Sequence, residues 1–237
     1  MKKLLALLIF MVICISIITP SKVHAVDISV GATTWYAWWN LNGGGGTIDF
    51  DPEFLYGPAL SVKFNDDFNL TFVYLYGKFD YQWGSESKSR MTRYDSDLAL
   101  NYRLNDYIKV FAGIKYMGLS LPNGNGNYGW DLDSLGPGLG LSCTYPITEN
   151  IYGLATLSGF YLWGKTKDDE GKMNHNDYGI NSTLALAYYI AQASTTISLG
   201  GRFQYFKVEY DKDKDKDNNA KVKFYGITLT ATYTFSI

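Results

Sequence analysis

The chain has 237 residues, 46% of them hydrophobic and 16% aromatic, with 21 Lys and Arg against 23 Asp and Glu. One domain accommodates this length, and a slightly acidic balance argues against a nucleic-acid partner. Two cysteines, Cys14 and Cys143, supply neither a disulfide framework nor a metal-binding cluster.

Residues 1–25 read as a secretory signal peptide. Lys2 and Lys3 form the charged start, Leu4 to Ile18 the apolar stretch, and Val23-His24-Ala25 the small-residue cleavage site. Residues 26–237 then form a single domain. Cleavage removes Lys2, Lys3 and Lys22 but no acid, which shifts the balance from 21 against 23 to 18 against 23. It also leaves Cys143 alone, so stability in an oxidising compartment must come from something other than a disulfide. No later apolar run approaches the roughly 18 residues of a helical membrane span.

From Asp27 onward, ten stretches alternate apolar with polar or small residues. The first, Asp27 to Trp39, sets Ile28, Val30, Ala32, Tyr36 and Trp38 against Ser29, Gly31 and Thr33. The second opposes Pro58, Leu60, Val62 and Phe64 to Gly57, Ala59, Ser61 and Lys63. In the third, Val73 and Leu75 make the polar face less polar than elsewhere. The fourth is the clearest, with Tyr94, Leu98, Leu100, Tyr102 and Leu104 opposite Arg93, Asp95, Asp97, Asn101 and Arg103. The fifth places Lys109, Phe111, Gly113 and Lys115 on its polar side, and the sixth a run of Gly136, Gly138 and Gly140. The seventh, Ile151 to Trp163, carries apolar residues on both faces. The eighth and ninth return to alternation, and the tenth opposes Ile227, Leu229, Ala231 and Tyr233 to Thr228, Thr230, Thr232 and Thr234.

The connections alternate strictly between short and long. Short ones lie at Asn65–Asp67, Asn105–Asp106, Pro146–Glu149 and Ala191–Ala193. Long ones run over Asn40–Glu53, Phe79–Arg90, Leu119–Trp130, Lys165–Asn176 and Asp211–Lys221. This pattern predicts an all-β, up-and-down antiparallel transmembrane β-barrel of ten strands in the outer membrane, with short periplasmic turns and longer outer loops. Eight and twelve strands are the neighbouring even solutions. Alternation alone also suits a soluble barrel with an apolar core. Aromatic placement decides for the membrane: Tyr102, Tyr145, Tyr152, Tyr188, Tyr233 and Phe235 gather toward the short turns. Trp35, Tyr36, Trp38, Tyr76, Tyr94 and Trp163 are among those gathering toward the long loops. Two aromatic belts flanking Leu, Ile and Val are what two membrane interfaces require.

The terminal Tyr233-Thr234-Phe235-Ser236-Ile237 resembles the C-terminal strand of Gram-negative outer-membrane barrels, although those proteins usually close on Phe. The resemblance implies handling by the barrel assembly machinery. It also implies lipid and lipopolysaccharide as surroundings.

Lys63, Arg93, Arg103, Lys109, Lys115 and Arg202 face the predicted lumen against Asp95 and Asp97. A salt-bridged plug satisfies such charges in a narrow barrel; an open lumen with this basic excess would pass small anions. The glycine run leaves room either for neighbours such as Phe111 or for a recess. Asp95 and Asp97, with His175 and Asp177, resemble in residue type the site of the omptin proteases, ten-stranded barrels that pair an Asp dyad with an Asp-His pair. Here His175 precedes Asp177, in reversed order. A His in the expected loop Lys165–Asn176 is otherwise simply solvated. The alternating charges of Asp211–Asp217 lack the Gly and terminal Glu of a calcium loop, and Gly43–Gly46 lacks the helix of a phosphate cradle.

These residues point to a structural or narrow-pore outer-membrane barrel with no cofactor. The rivals are a surface adhesin or receptor acting through its loops, and an omptin-like hydrolase.

Overall fold

The computed structural model describes residues 26–43, 46–82, 89–121, 129–168, 171–210 and 219–237. The expected signal peptide and the Asp211–Asp217 charge run lie outside them. Ten strands follow in chain order: β1 Asp27–Gly43, β2 Gly46–Lys63, β3 Phe68–Tyr81, β4 Ser89–Arg103 and β5 Ile108–Leu121, then β6 Trp130–Pro146, β7 Ile151–Asp168, β8 Gly171–Ile190, β9 Thr195–Tyr210 and β10 Ala220–Ser236. Each pairs antiparallel with its chain neighbours, and β1 pairs with β10 to close the barrel. Closure continues to the chain end, where Val26 N donates to Ile237 O and Ile237 N to Val26 O, both at 3.0 Å. Without it, the edge amides would face hydrocarbon unpaired.

The short turns are built by local side-chain acceptors. Asn65 Oδ1 accepts from the amides of Asp67 and Phe68 at 2.9 and 2.8 Å. Asn105 Oδ1 does the same for Tyr107 and Ile108, both at 2.9 Å. Thr148 Oγ1 takes Asn150 and Ile151 at 3.3 and 3.1 Å. These are the Asx- and ST-turns that Asn and Thr favour. The fourth is a 3-10 turn, Ala191–Ala193, ended by Ser194 in the left-handed region at φ 46°.

At the opposite end the strands run further than expected. β1 and β2 continue through most of Asn40–Glu53, with Asn42 opposite Thr47. β7 and β8 continue through most of Lys165–Asn176. Gly, Asn, Asp and Lys at this end mark strands that have left the lipid, where both faces of a ladder can be wetted.

The outward face is apolar. Leu184, Leu139 and Leu186 stand 70, 66 and 59% exposed, which in water would be an extensive apolar patch and in a bilayer is the lipid contact. Leu139→Arg should cost about 2–4 kcal/mol in the bilayer centre, whereas Tyr145→Arg at the rim should cost about 0–1 kcal/mol. Urea titrations of refolding into vesicles measure both, and equal losses would contradict this placement of the membrane.

Inside, the two halves of the barrel differ. The half toward the long connections is filled by a buried apolar cluster that includes Trp35, Trp39, Phe50, Phe79, Phe206 and Phe224. Trp39 stacks on Phe50 at 3.3 Å and on Phe224 at 4.6 Å, and Phe79 meets its edge at 5.6 Å. The half toward the short turns is lined by small and polar residues. Three earlier expectations change accordingly. Trp35 belongs to this core and is 0% exposed, so it is absent from the outer aromatic belt. β7 has apolar residues on both faces because Phe160 and Leu162 enter the core while Leu157, Tyr161 and Trp163 face lipid. The lumen is basic and polar only in part.

Candidate functional site

Where the apolar core ends, five charged side chains from three strands form an ionic layer. Arg93, Asp95 and Asp97 are alternate residues of β4 and therefore share its inner face. Lys115 comes from β5, where Asp97 is its direct cross-strand partner, and Arg202 from β9. Arg93 Nη2 donates to Asp95 Oδ2 at 2.8 Å and to Gln204 Oε1 at 3.0 Å. Lys115 Nζ donates to Asp95 Oδ1 at 2.8 Å and to Asp97 Oδ1 at 3.1 Å. Arg202 Nη2 lies 3.5 Å from Asp95 and 3.4 Å from Asp97. Both Asp95 oxygens are thus occupied by cations.

The cations are also capped by rings. The Arg93 guanidinium lies 3.7 Å from the Phe224 centroid, and that of Arg202 lies 4.6 Å from Trp35. Three cations against two carboxylates leave one positive charge, and the aromatic faces take part of it. Arg93 is 0% exposed. Leaving such a group without these partners would be costly, so the layer reads as a set of mutually dependent pairs.

A second polar cluster lies within the core half. His175 Nδ1 is 2.8 Å from Asp177 Oδ1, and Ser134 Oγ donates to Asp177 Oδ2 at 2.5 Å. With Nδ1 donating to Asp177, Nε2 is the remaining nitrogen, and it is buried without a hydrogen-bond partner among the described residues. The ring sits opposite Gly164 on β7, where a Cβ would occupy the imidazole's own space. Tyr210 covers it at a centroid distance of 5.6 Å. His175 is 1% exposed, so the expectation of a solvated loop histidine is corrected: β8 extends past it, and its parity turns it inward.

Below the ionic layer, toward the short turns, lies a vestibule of about 380 Å³. It shares Asn69 and Lys109 with a cavity of about 220 Å³ at the barrel mouth. In the glycine run, Gly140 makes room for the Phe111 ring and Gly136 for the close approach of β7, while only Gly138 borders the vestibule.

The structure therefore brings Arg93, Asp95, Asp97, Lys115 and Arg202 together. It leaves Lys63, Arg103 and Lys109 at the short-turn end. Lys63 pairs with Asp66 at 2.9 Å, and Arg103 lies 3.8 Å from Asp67 and 3.7 Å from Asp106. The omptin-like set is also divided. Asp95 and Asp97 bind cations, while His175 and Asp177 bind each other and Ser134. Sequence reasoning overlooked Ser134 and the aromatic caps Trp35 and Phe224, whose signal is their position on the polar parity of their strands.

No family model and no curated protein matches the chain. Among solved structures it is similar to the outer-membrane protease OmpT from Escherichia coli, at 11% identity and a TM-score of 0.55, covering 92% of this chain and 99% of that one. It is also similar to Neisserial surface protein A, at 10% identity and a TM-score of 0.42, covering 88% and 97%. The OmpT likeness is one of fold. The chain is an outer-membrane β-barrel, and in such barrels the short turns are periplasmic. The apolar core accordingly occupies the extracellular half, and the vestibule opens to the periplasm.

Proposed function

We propose that this chain is a non-conducting outer-membrane barrel, a structural scaffold whose solvent-accessible interior faces the periplasm. The observation that carries the reading is the aromatic stack of Phe206, Phe224, Trp39 and Phe50 across the extracellular half of the lumen. An anion pathway would need a continuous wetted route past cationic side chains. Here Arg93, Lys115 and Arg202 are committed to Asp95, Asp97 and aromatic faces, beneath a packed apolar core. The ten-stranded interior is narrow enough for side chains to fill it.

What supports a non-catalytic role is the same geometry. Asp95 has no free oxygen with which to position a water, and the His175 ring is buried beneath Tyr210. General acid/base work needs a proton donor or acceptor within reach of substrate. For partners, the lipopolysaccharide contact expected of the outer leaflet is supported by an outward groove of about 520 Å³. Tyr116, Asp133, Trp163, Lys165 and Lys167 line it, and its floor at Gly164 borders Ser134 and His175.

Planar-bilayer recording tests the central point. Protein reconstituted in folded form should insert without steady conductance steps. Stable, ohmic steps of uniform size would overturn the closed-barrel reading, and anion-selective reversal potentials would restore the basic pore.

A further inference from the structure

We propose that the periplasmic vestibule is a binding site for a small hydroxylated solute bearing one anionic group, with Lys109 as its anchor. The proposal goes beyond the closed-barrel reading, because a sealed barrel needs no ligand.

The charge argument concerns Lys109. Its side chain is half-buried on the inner face of β5 and lines both the vestibule and the mouth. It makes no hydrogen bond or ion pair among the described residues. Its electrostatic neighbours are Lys63 and Arg103, both cations. The other two cations lining the vestibule each have a carboxylate partner, since Lys115 and Arg202 both contact Asp97. Asp66 and Asp67 at the mouth are held by Lys63 and Arg103, so the partly desolvated Lys109 ammonium has no carboxylate of its own and lines a cavity. An incoming carboxylate or phosphate would supply the missing charge-assisted bond.

The wall that continues from the charge is chemically specific, with Ser142 the direct cross-strand partner of Lys109 and Thr156 and Thr183 following on the next two strands. The hydroxyls of Ser142, Thr156 and Thr183 line the vestibule and make no hydrogen bond among the described residues. Asn181 accepts from Arg202 Nε at 3.3 Å through its oxygen, which leaves its amide N–H groups available. Groups that both donate and accept match a ligand rich in hydroxyls. Phe111, two residues from Lys109 on the same inner face of β5, adds one apolar ring face to the vestibule, kept in place by the absence of a side chain at Gly140. Hydroxyl partners, one ring face and one cation together fit a sugar acid or sugar phosphate. A volume of about 380 Å³ holds one such molecule.

Calorimetric titration of the folded protein in detergent micelles at low ionic strength tests this, with D-glucuronate and glucose 6-phosphate as anionic probes and glucose as the neutral reference. Saturable one-to-one binding of at least one anion is expected, and the two anionic arms separate carboxylate from phosphate. Lys109→Gln should weaken that binding at least about tenfold, because a hydrogen bond to a charged group is lost. Lys109→Arg should largely retain it, and Thr183→Val should weaken it less than Lys109→Gln does. Heat-modifiable migration on gels establishes that each variant is folded. No saturable heat with either anion, equal affinity for glucose, or anion binding indifferent to Lys109→Gln would overturn the proposal. Its failure is distinct from that of the closed barrel: silent bilayers without binding remove only the ligand site, whereas conductance with binding removes only the closure.

Discussion

Replacing Asp95 by Ala should lower the stability of the folded barrel by about 3–5 kcal/mol, the cost of leaving buried charges without their partner. Asp95 is the one carboxylate that Arg93, Lys115 and Arg202 share, at 2.8, 2.8 and 3.5 Å. Its removal leaves Asp97 as the only anion in contact with these cations among the described residues, and Asp97 does not contact Arg93. Lys63→Ala, which breaks a pair exposed at the periplasmic rim, should cost no more than about 1 kcal/mol. Urea-dependent unfolding from lipid vesicles compares the two on one scale. An Asp95→Ala barrel within 1 kcal/mol of the parent, on the scale used for exposed pairs, would mean that water reaches the ionic layer and screens it.

Trp39→Ala is the second large effect. Trp39 lies between Phe50 and Phe224, and Phe79 meets its edge. The side chain is 2% exposed, and β-barrel walls cannot collapse inward without breaking their ladders. A loss of about 3–5 kcal/mol is therefore expected, at the level of aromatic-to-Ala changes in cores. The void would also expose one face of Phe224, the ring that covers Arg93. Trp39→Phe should recover most of the loss, since it restores a stacked ring. If Trp39→Ala were no more damaging than Trp163→Ala on the lipid face, the extracellular half would not be a packed core.

The strands and their faces were legible in the sequence wherever one face meets lipid. The exposed positions of β4, β6, β8 and β10 follow period-two alternation, and the turns at Asn65, Asn105 and Thr148 carry their own hydrogen-bond acceptors. Strand ends were less legible, because beyond the membrane a ladder can be polar on both faces, as Asn174-His175-Asn176-Asp177 is. Read as a loop, that stretch hides the inward parity of His175 and Asp177. The ionic layer was visible as residue types on one face of β4, but not its extent. Which cations reach Asp95 depends on how β4, β5 and β9 face one another across the lumen, and strand alternation does not encode that. The apolar core was signalled only faintly. Trp35 and Trp39 share a strand with Tyr36 and Trp38, so four aromatics in five positions conceal which pair points inward.

Sided cysteine labelling distinguishes a lumen divided into a sealed extracellular half and an open periplasmic half from a continuous one. Thr183→Cys in the vestibule and Val222→Cys in the core would each be placed in a Cys143→Ser background, which removes the free thiol. A small, membrane-impermeant thiol reagent is then applied to intact cells and, separately, from the periplasmic side. Thr183→Cys should react from the periplasm and be protected from outside, while Val222→Cys, at a position 1% exposed, should be protected from both. Rapid labelling of Thr183→Cys in intact cells, or of Val222→Cys from either side, would contradict the divided lumen.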